Sequence, residues 1–188
     1  MQWPDGGDVV IYDLEVTAWP GSATHGWNRP GEYREIIQVG AVRCDAARFV
    51  PRQRFEVLCR PRRNPVLSDY IQALTGLSND RLRAAGLEFE QAMDDFLAFC
   101  DGAAWILSFG GDETVLAENY ALHDLPAPDL GRFLDIKPTL CRTAGLPLEI
   151  RSSDLPARLG LALDLPPHHA VADALAVCAA LQVLRARG

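Results

Sequence analysis

Near the start of the chain, the run Val9-Val10-Ile11-Tyr12-Asp13-Leu14-Glu15-Val16-Thr17 carries apolar, β-branched residues straight into two carboxylates one residue apart. Runs of this length and composition form buried strands, and alternate residues of a strand share a face. Asp13 and Glu15 are therefore expected side by side at the end of a strand that is otherwise buried. Two such charges 4 Å apart repel by roughly 4 kcal/mol at an effective dielectric of 20. A fold that keeps them together needs cations, and hard divalent ions prefer oxygen ligands. The alternative for an isolated Asp-x-Glu is a strand that ends in water with both groups solvated.

At 188 residues the sequence fits one domain, residues 1–188, with nearly half its residues hydrophobic and enough chain to bury a full core. Five scattered cysteines, with no CxxC pair and an odd count, read as reduced core residues of a cytoplasmic protein rather than a disulfide framework or a zinc site. The segment Met1 to Asp8 is polar and acidic, unlike an ordinary signal peptide, and no apolar run approaches the length of a membrane span. A net charge of −7 argues against broad non-specific binding to duplex nucleic acid, yet leaves room for a nucleic-acid enzyme whose acidic centre is filled by metal.

Strands are expected at 35–42 and 54–59, joined by a hairpin through Asp45 to Pro51, and then at 103–109 and 132–136. Between Thr17 and Glu35 lies a Gly-, Pro- and Trp-rich loop, in which Trp19 and Trp27 either pack the loop onto the body or border a site. Short helices are expected from a Ser68-Asp69 cap to Gly76 and from Ser78 or Asn79 onward, with a longer one over 88–100. Further helices follow at 112–119, 137–144 and 153–159. The last runs from about Ala170 to Arg185, with an apolar face of Val171, Leu175, Cys178, Leu181 and Leu184. A β-meander followed by alternating α and β elements implies an α/β fold with a mixed sheet and helices on both faces.

Three more signals join the first pair. Asp112 follows a Gly-Gly turn at the end of an expected strand, with Glu113 as its rival; His168 sits in a Pro-Pro-His-His loop; Asp173 lies five residues on, in the first turn of the last helix between Ala172 and Ala174. Taken singly, each acid could be a partner for a helix dipole and the histidine a structural one. Their order and context resemble the DEDDh 3′→5′ exonucleases, which have a ribonuclease H-like fold. Ile11 to Thr17 looks like the first motif of that family, Ser108-Phe109-Gly110-Gly111-Asp112 like a variant of the second, and His168 to Ala174 like the third. Glu35 to Ala41, and Arg60 to Tyr70 running into Leu74-Thr75-Gly76-Leu77, are similar to the branch that trims histone mRNA, small RNAs and ribosomal RNA. That branch often places its second-motif acid one residue later, at Glu113 here; Asp112 is preferred because Leu116 then faces the core one helical turn on.

The resemblance implies two divalent ions, Mg²⁺ or Mn²⁺, held by Asp13, Glu15, Asp112 and Asp173, and a general base, His168, that takes a proton from the attacking water; an ordinary imidazole titrates near pH 6.5. It further implies that Leu14 and Thr17, with Leu74 and Thr75 opposite, border the terminal nucleotide. The substrate would be single-stranded or 3′-overhanging nucleic acid, RNA favoured, and the products nucleoside 5′-monophosphates. Two rivals stay open: a proofreading-type exonuclease of the same family acting on DNA, and a catalytically silent binding module on the same fold.

Overall fold

The computed structural model describes residues 6–187, so most of the polar N-terminal segment, Met1 to Asp5, lies outside the described residues. At its centre is β1 (Asp8–Val16), the strand that carries Asp13 and Glu15. It pairs antiparallel with β2 (Ile36–Asp45) on one side and parallel with β4 (Trp105–Ser108) on the other. Outside these lie β3 (Pro51–Leu58), antiparallel to β2, and β5 (Phe133–Asp135), parallel to β4, giving the order β3-β2-β1-β4-β5. The β2–β3 hairpin closes where expected, with the Asp45 carboxylate accepting the N–H groups of Arg48 (2.7 Å) and Val50 (3.1 Å).

Helices cover both faces, as the sequence pattern implies. Val9 and Ile11 of β1, with Val42 and Cys44 of β2, pack against α6 (Lys137–Ala144), α7 (Leu155–Arg158) and α8 (Ala170–Arg187). The alternate residues Val10, Tyr12 and Leu14 face α4 (Phe89–Cys100) and α5 (Asp112–Leu122) through Phe89, Met93, Phe96 and Leu116. A third cluster seats α2 (Asp69–Thr75) and α3 (Asn79–Ala85) against Ala18, Ile37 and Leu58. Ser68 and Ser78 are the respective caps, their hydroxyls accepting the N–H groups of Ile71 and Arg81. All five cysteines are buried and free of disulfides. Among the described residues no helix is long and apolar enough to cross a membrane.

Three local expectations need correction. The 18–34 loop contains a one-turn helix, α1 (Ser22–His25), bounded by glycines. The helix expected over 153–159 is a 3₁₀ turn (Ser152–Asp154) running into the short α7, because Pro156 restricts how the chain can enter a helix. The last helix buries only part of the apolar stripe read from its spacing: Cys178 and Leu181 are buried, Val171, Leu175 and Leu184 are only half-buried, and Ala170, Ala172, Ala174, Ala176 and Ala180 are buried beside them. At Gly40 helix α8 lies so close to β2 that only a small side chain, Ala170, fits against the strand.

Candidate active site

Strand alternation puts Asp13 and Glu15 on the same face as Val9 and Ile11, the face that α8 covers. Helix α8 is seated by two features of β2. Gln38, opposite Glu15 in the sheet and 1% exposed, accepts the N–H of Ala170 at 3.1 Å and donates to the Glu56 carboxylate at 2.9 Å, so it caps the helix from the strand. Gly40, two residues on, lets the helix backbone approach where any Cβ would collide with Ala170 and Val171. The first turn of α8 then presents Asp173, 4% exposed, to the strand carboxylates. Asp13, Glu15 and Asp173 each offer a carboxylate oxygen, and those atoms lie within 4.8 Å of one another. Ser152 donates to Asp173 Oδ1 at 3.1 Å.

Asp112 arrives from the other side. Gly110 (φ 140°) and Gly111 (φ 87°) take conformations that L side chains rarely adopt, and the resulting turn leads from β4 directly into α5. Asp135 at the end of β5 braces the turn, accepting N–H groups from Gly110 (3.1 Å) and Lys137 (2.9 Å). Asp112 opens α5, Leu116 is buried one turn later, and Asp112 Oδ2 is buried with no hydrogen-bond partner among the described residues. Glu113 is occupied differently: its Oε2 accepts the Ser108 hydroxyl at 3.0 Å.

The electrostatics follow from this convergence. Burial, then the charges of Asp112, Glu15 and Asp173, holds the Asp13 carboxyl well above the ordinary carboxylate range. Glu15 is pushed up to about 8 by burial and by Asp173 and Asp112. Asp112 is pushed up to about 7 by burial, Glu113 and Asp135, with Arg34 and Lys137 opposing. Asp173 is raised by burial against the pull of the Ser152 hydroxyl and of His168. None of the four forms an ion pair among the described residues. Four converging carboxylates, one with an orphaned buried oxygen, fit hard divalent cations.

His168 sits immediately before α8 with φ 56°, half-buried, and its charge bears on Asp173. The neighbouring His169 points elsewhere, with Nε2 3.9 Å from the Glu56 carboxylate. The other residues singled out from sequence are placed as follows. Leu14 belongs to the opposite core face, toward α4 and α5. The Thr17 hydroxyl donates to the Tyr33 carbonyl (2.6 Å) and accepts the Glu35 N–H (2.9 Å). Leu74 and Thr75, on α2, are half-buried, and α2 is moored to the exit of β1 by the Ser68 hydroxyl, which donates to the Ala18 carbonyl. Trp27 packs the loop onto the body, its indole N–H donating to the Thr17 carbonyl at 2.8 Å. Sequence reading did not find Gln38, Asp135 or Ser152. Gln38 alone carried a local signal, as a polar residue inside the apolar run Ile36 to Val42.

The profile of the exonuclease family matches residues 10–181. No curated protein sequence matches the chain. Among solved structures, the nuclease domain of 3′hExo, a DEDDh family member, bound to rAMP, superposes with a TM-score of 0.82 at 21% identity, covering 96% of this chain and 92% of that one. A 3′-exonuclease in specific recognition of the histone mRNA stem-loop gives 0.81 at 21% identity, and this chain, 95% covered, spans 64% of its length. The E. coli ExoI–ssDNA complex gives 0.73 at 16%, with 96% and 40% covered. These likenesses place the mixed five-stranded sheet in the ribonuclease H-like fold. With its profile matched from the middle of β1 into the last helix, the chain belongs to the exonuclease family, the enzymes that its Asp13, Asp112 and His168 motifs resemble.

Proposed function

We propose that this exonuclease removes nucleotides one at a time from the 3′ ends of single-stranded or 3′-overhanging nucleic acid, RNA being the favoured polymer. The observation that carries the reading is the convergence of Asp13, Glu15 and Asp173 within 4.8 Å, with Asp112 outside that group but near enough for its charge to bear on Asp13, and with its Oδ2 buried and unpartnered among the described residues. Asp13, Glu15, Asp112 and Asp173 would hold two divalent ions, Mg²⁺ or Mn²⁺. Such ions supply positive charge that neutralises the carboxylates and stabilises the charge developing on the phosphate oxygens.

The chain's own residues do the rest. His168 takes the proton from the attacking water as its oxygen bonds to phosphorus, the bond from phosphorus to the 3′ oxygen of the preceding nucleotide breaks, and that oxygen takes up a proton from solvent. A nucleoside 5′-monophosphate leaves, and the shortened strand keeps a 3′ hydroxyl. Thr17, Leu74 and Thr75 border the terminal nucleotide, with Leu14 behind them in the core. The Gln38 cap and the Gly40 contact fix the start of α8, and so the position of Asp173 relative to β1 and of His168 just ahead of it.

A time course on 5′-labelled RNA and DNA strands of one sequence, with Mg²⁺, Mn²⁺ or EDTA, tests the reading. Stepwise shortening from the 3′ end, abolished by EDTA and by Asp13→Ala, is expected, with RNA consumed faster. Full activity in EDTA or in folded Asp13→Ala would refute the metal role. Faster consumption of DNA would favour a proofreading-type enzyme, in line with the single-stranded DNA bound by the E. coli relative.

A further inference from the structure

We propose that Tyr33, Arg62 and Arg63 form a platform that receives a single-stranded nucleic acid on the 5′ side of the residue being removed. This rests on the exonuclease reading above. The platform is built around a buried acid. Glu35, 1% exposed, accepts three backbone N–H groups in succession, from Arg62 (2.6 Å), Arg63 (2.7 Å) and Asn64 (2.6 Å). A buried carboxylate is retained only where such bonds replace its hydration, and here they fix the backbone from which both arginines project. Asn64 stitches this loop to the preceding one, accepting the Tyr33 N–H (3.1 Å) and donating to the Gly31 carbonyl (2.8 Å). Thr17, two residues beyond Glu15, bonds both the Tyr33 carbonyl and the Glu35 N–H, so the platform is continuous with the exit of β1.

What this rigid base displays suits a polyanion with flat bases. Arg62 and Arg63 are exposed and form no ion pair among the described residues, whereas Arg34, Arg60 and Arg81 are each paired with a glutamate. Tyr33 is 41% exposed, and the Arg63 guanidinium lies 5.7 Å from its ring centre. Basic groups interleaved with an exposed aromatic ring are the general means of holding a single strand without reading its sequence. In a chain of net charge −7, two free guanidiniums on a fixed loop are a local field that steers an anionic strand toward an acidic centre. The arrangement favours a long substrate: a dinucleotide carries a single phosphodiester, which the carboxylate site takes, so only a longer strand has a phosphate left for Arg62 and Arg63.

The test compares the full-length wild type with Arg62→Ala/Arg63→Ala on a 3′-terminal dinucleotide and on 20-nucleotide RNA and DNA strands, with thermal unfolding as a check on folding. The double variant is expected to raise KM for the 20-mers about tenfold and to flatten the log–log salt dependence of binding by about 1.4, two phosphate contacts at roughly 0.7 each. Dinucleotide hydrolysis, whose one phosphodiester sits at the carboxylates and leaves no phosphate for the loop, is expected to match wild type. Tyr33→Leu, which keeps bulk and removes the π face, should raise KM for the 20-mers a few-fold and leave the salt slope unchanged. Wild-type KM and slope in the double variant would overturn the platform, as would an equal loss on the dinucleotide and the 20-mers. Failure of the wild type itself to cut either substrate would instead remove the exonuclease reading, and the platform with it.

Discussion

Gly40→Ala tests how closely the last helix must approach the sheet. Gly40 faces α8, and a Cβ built there lies 2.1 Å from the Val171 nitrogen, 2.3 Å from the Ala170 carbonyl carbon and 2.7 Å from Ala170 Cβ. Ordinary contact begins near 3.4 Å, so the shortfall exceeds an ångström, and two of the three atoms are backbone that cannot rotate away. Nor is the helix free to retreat: Ala170 is held by Gln38, and Ala174, Val177, Cys178 and Leu181 are locked in the core. Overpacking of this kind costs about 1–3 kcal/mol, and a backbone collision belongs at or above the upper end. In a chain of this size each kcal/mol lowers Tm by about 2–4 °C, so a fall of roughly 6–12 °C is expected. Asp173 rides on the same turn, and a displacement of about 1 Å in a reacting site costs on the order of 100-fold in rate. Circular dichroism melting and strand hydrolysis at a temperature where the variant remains folded measure both effects. A variant with the Tm and rate of wild type would show that α8 does not need this approach and that the account of Asp173 placement is wrong.

Two further outcomes follow from the charge cluster and its frame. Burial and the neighbouring acids let Glu15 keep its proton up to about pH 8 in the native protein, whereas the unfolded chain loses it near 4.5. Between those values the native state binds more protons, so the stability of the metal-free protein should fall as pH rises and level off above 8. The Glu15 contribution is on the order of 5 kcal/mol across the window. Denaturant unfolding in EDTA should show the decline, Mg²⁺ or Mn²⁺ should reverse it at pH 8, and Asp13→Asn should blunt it while abolishing hydrolysis; stability that rises through this range would contradict the cluster. Gln38→Leu leaves the buried Ala170 N–H without an acceptor, for about 1–3 kcal/mol and a Tm lowered by roughly 3–10 °C, and a melt within 1 °C of wild type would show that the cap carries no weight.

The candidate site residues stand out in the sequence because each marks a break in a local pattern. Asp13 and Glu15 end an apolar run, Asp112 follows two glycines, and His168 and Asp173 straddle the start of a helix. What positions them was not legible, because it depends on partners far away in the chain. Gln38 and Ala170 are 132 residues apart, and Glu35 and its three amide donors 27 to 29. The periodicity of α8 found Cys178 and Leu181 but only part of the buried surface, for the same reason: a stripe argument assumes one buried face, yet this helix meets β1, β2, α7 and the 3₁₀ turn, so alanines around much of its girth are enclosed. Both supports nonetheless spring from one short segment. Glu35, just before β2, holds the Arg62–Arg63 loop; Gln38, three residues on, holds α8; and both stand beside the end of β1. Two buried polar residues at the mouth of an apolar strand therefore fix the two flanks of a site whose Asp13 and Glu15 lie on the neighbouring strand. Their polarity within Glu35-Ile36-Ile37-Gln38-Val39 was the visible trace of those long-range bonds, although nothing local named the partners.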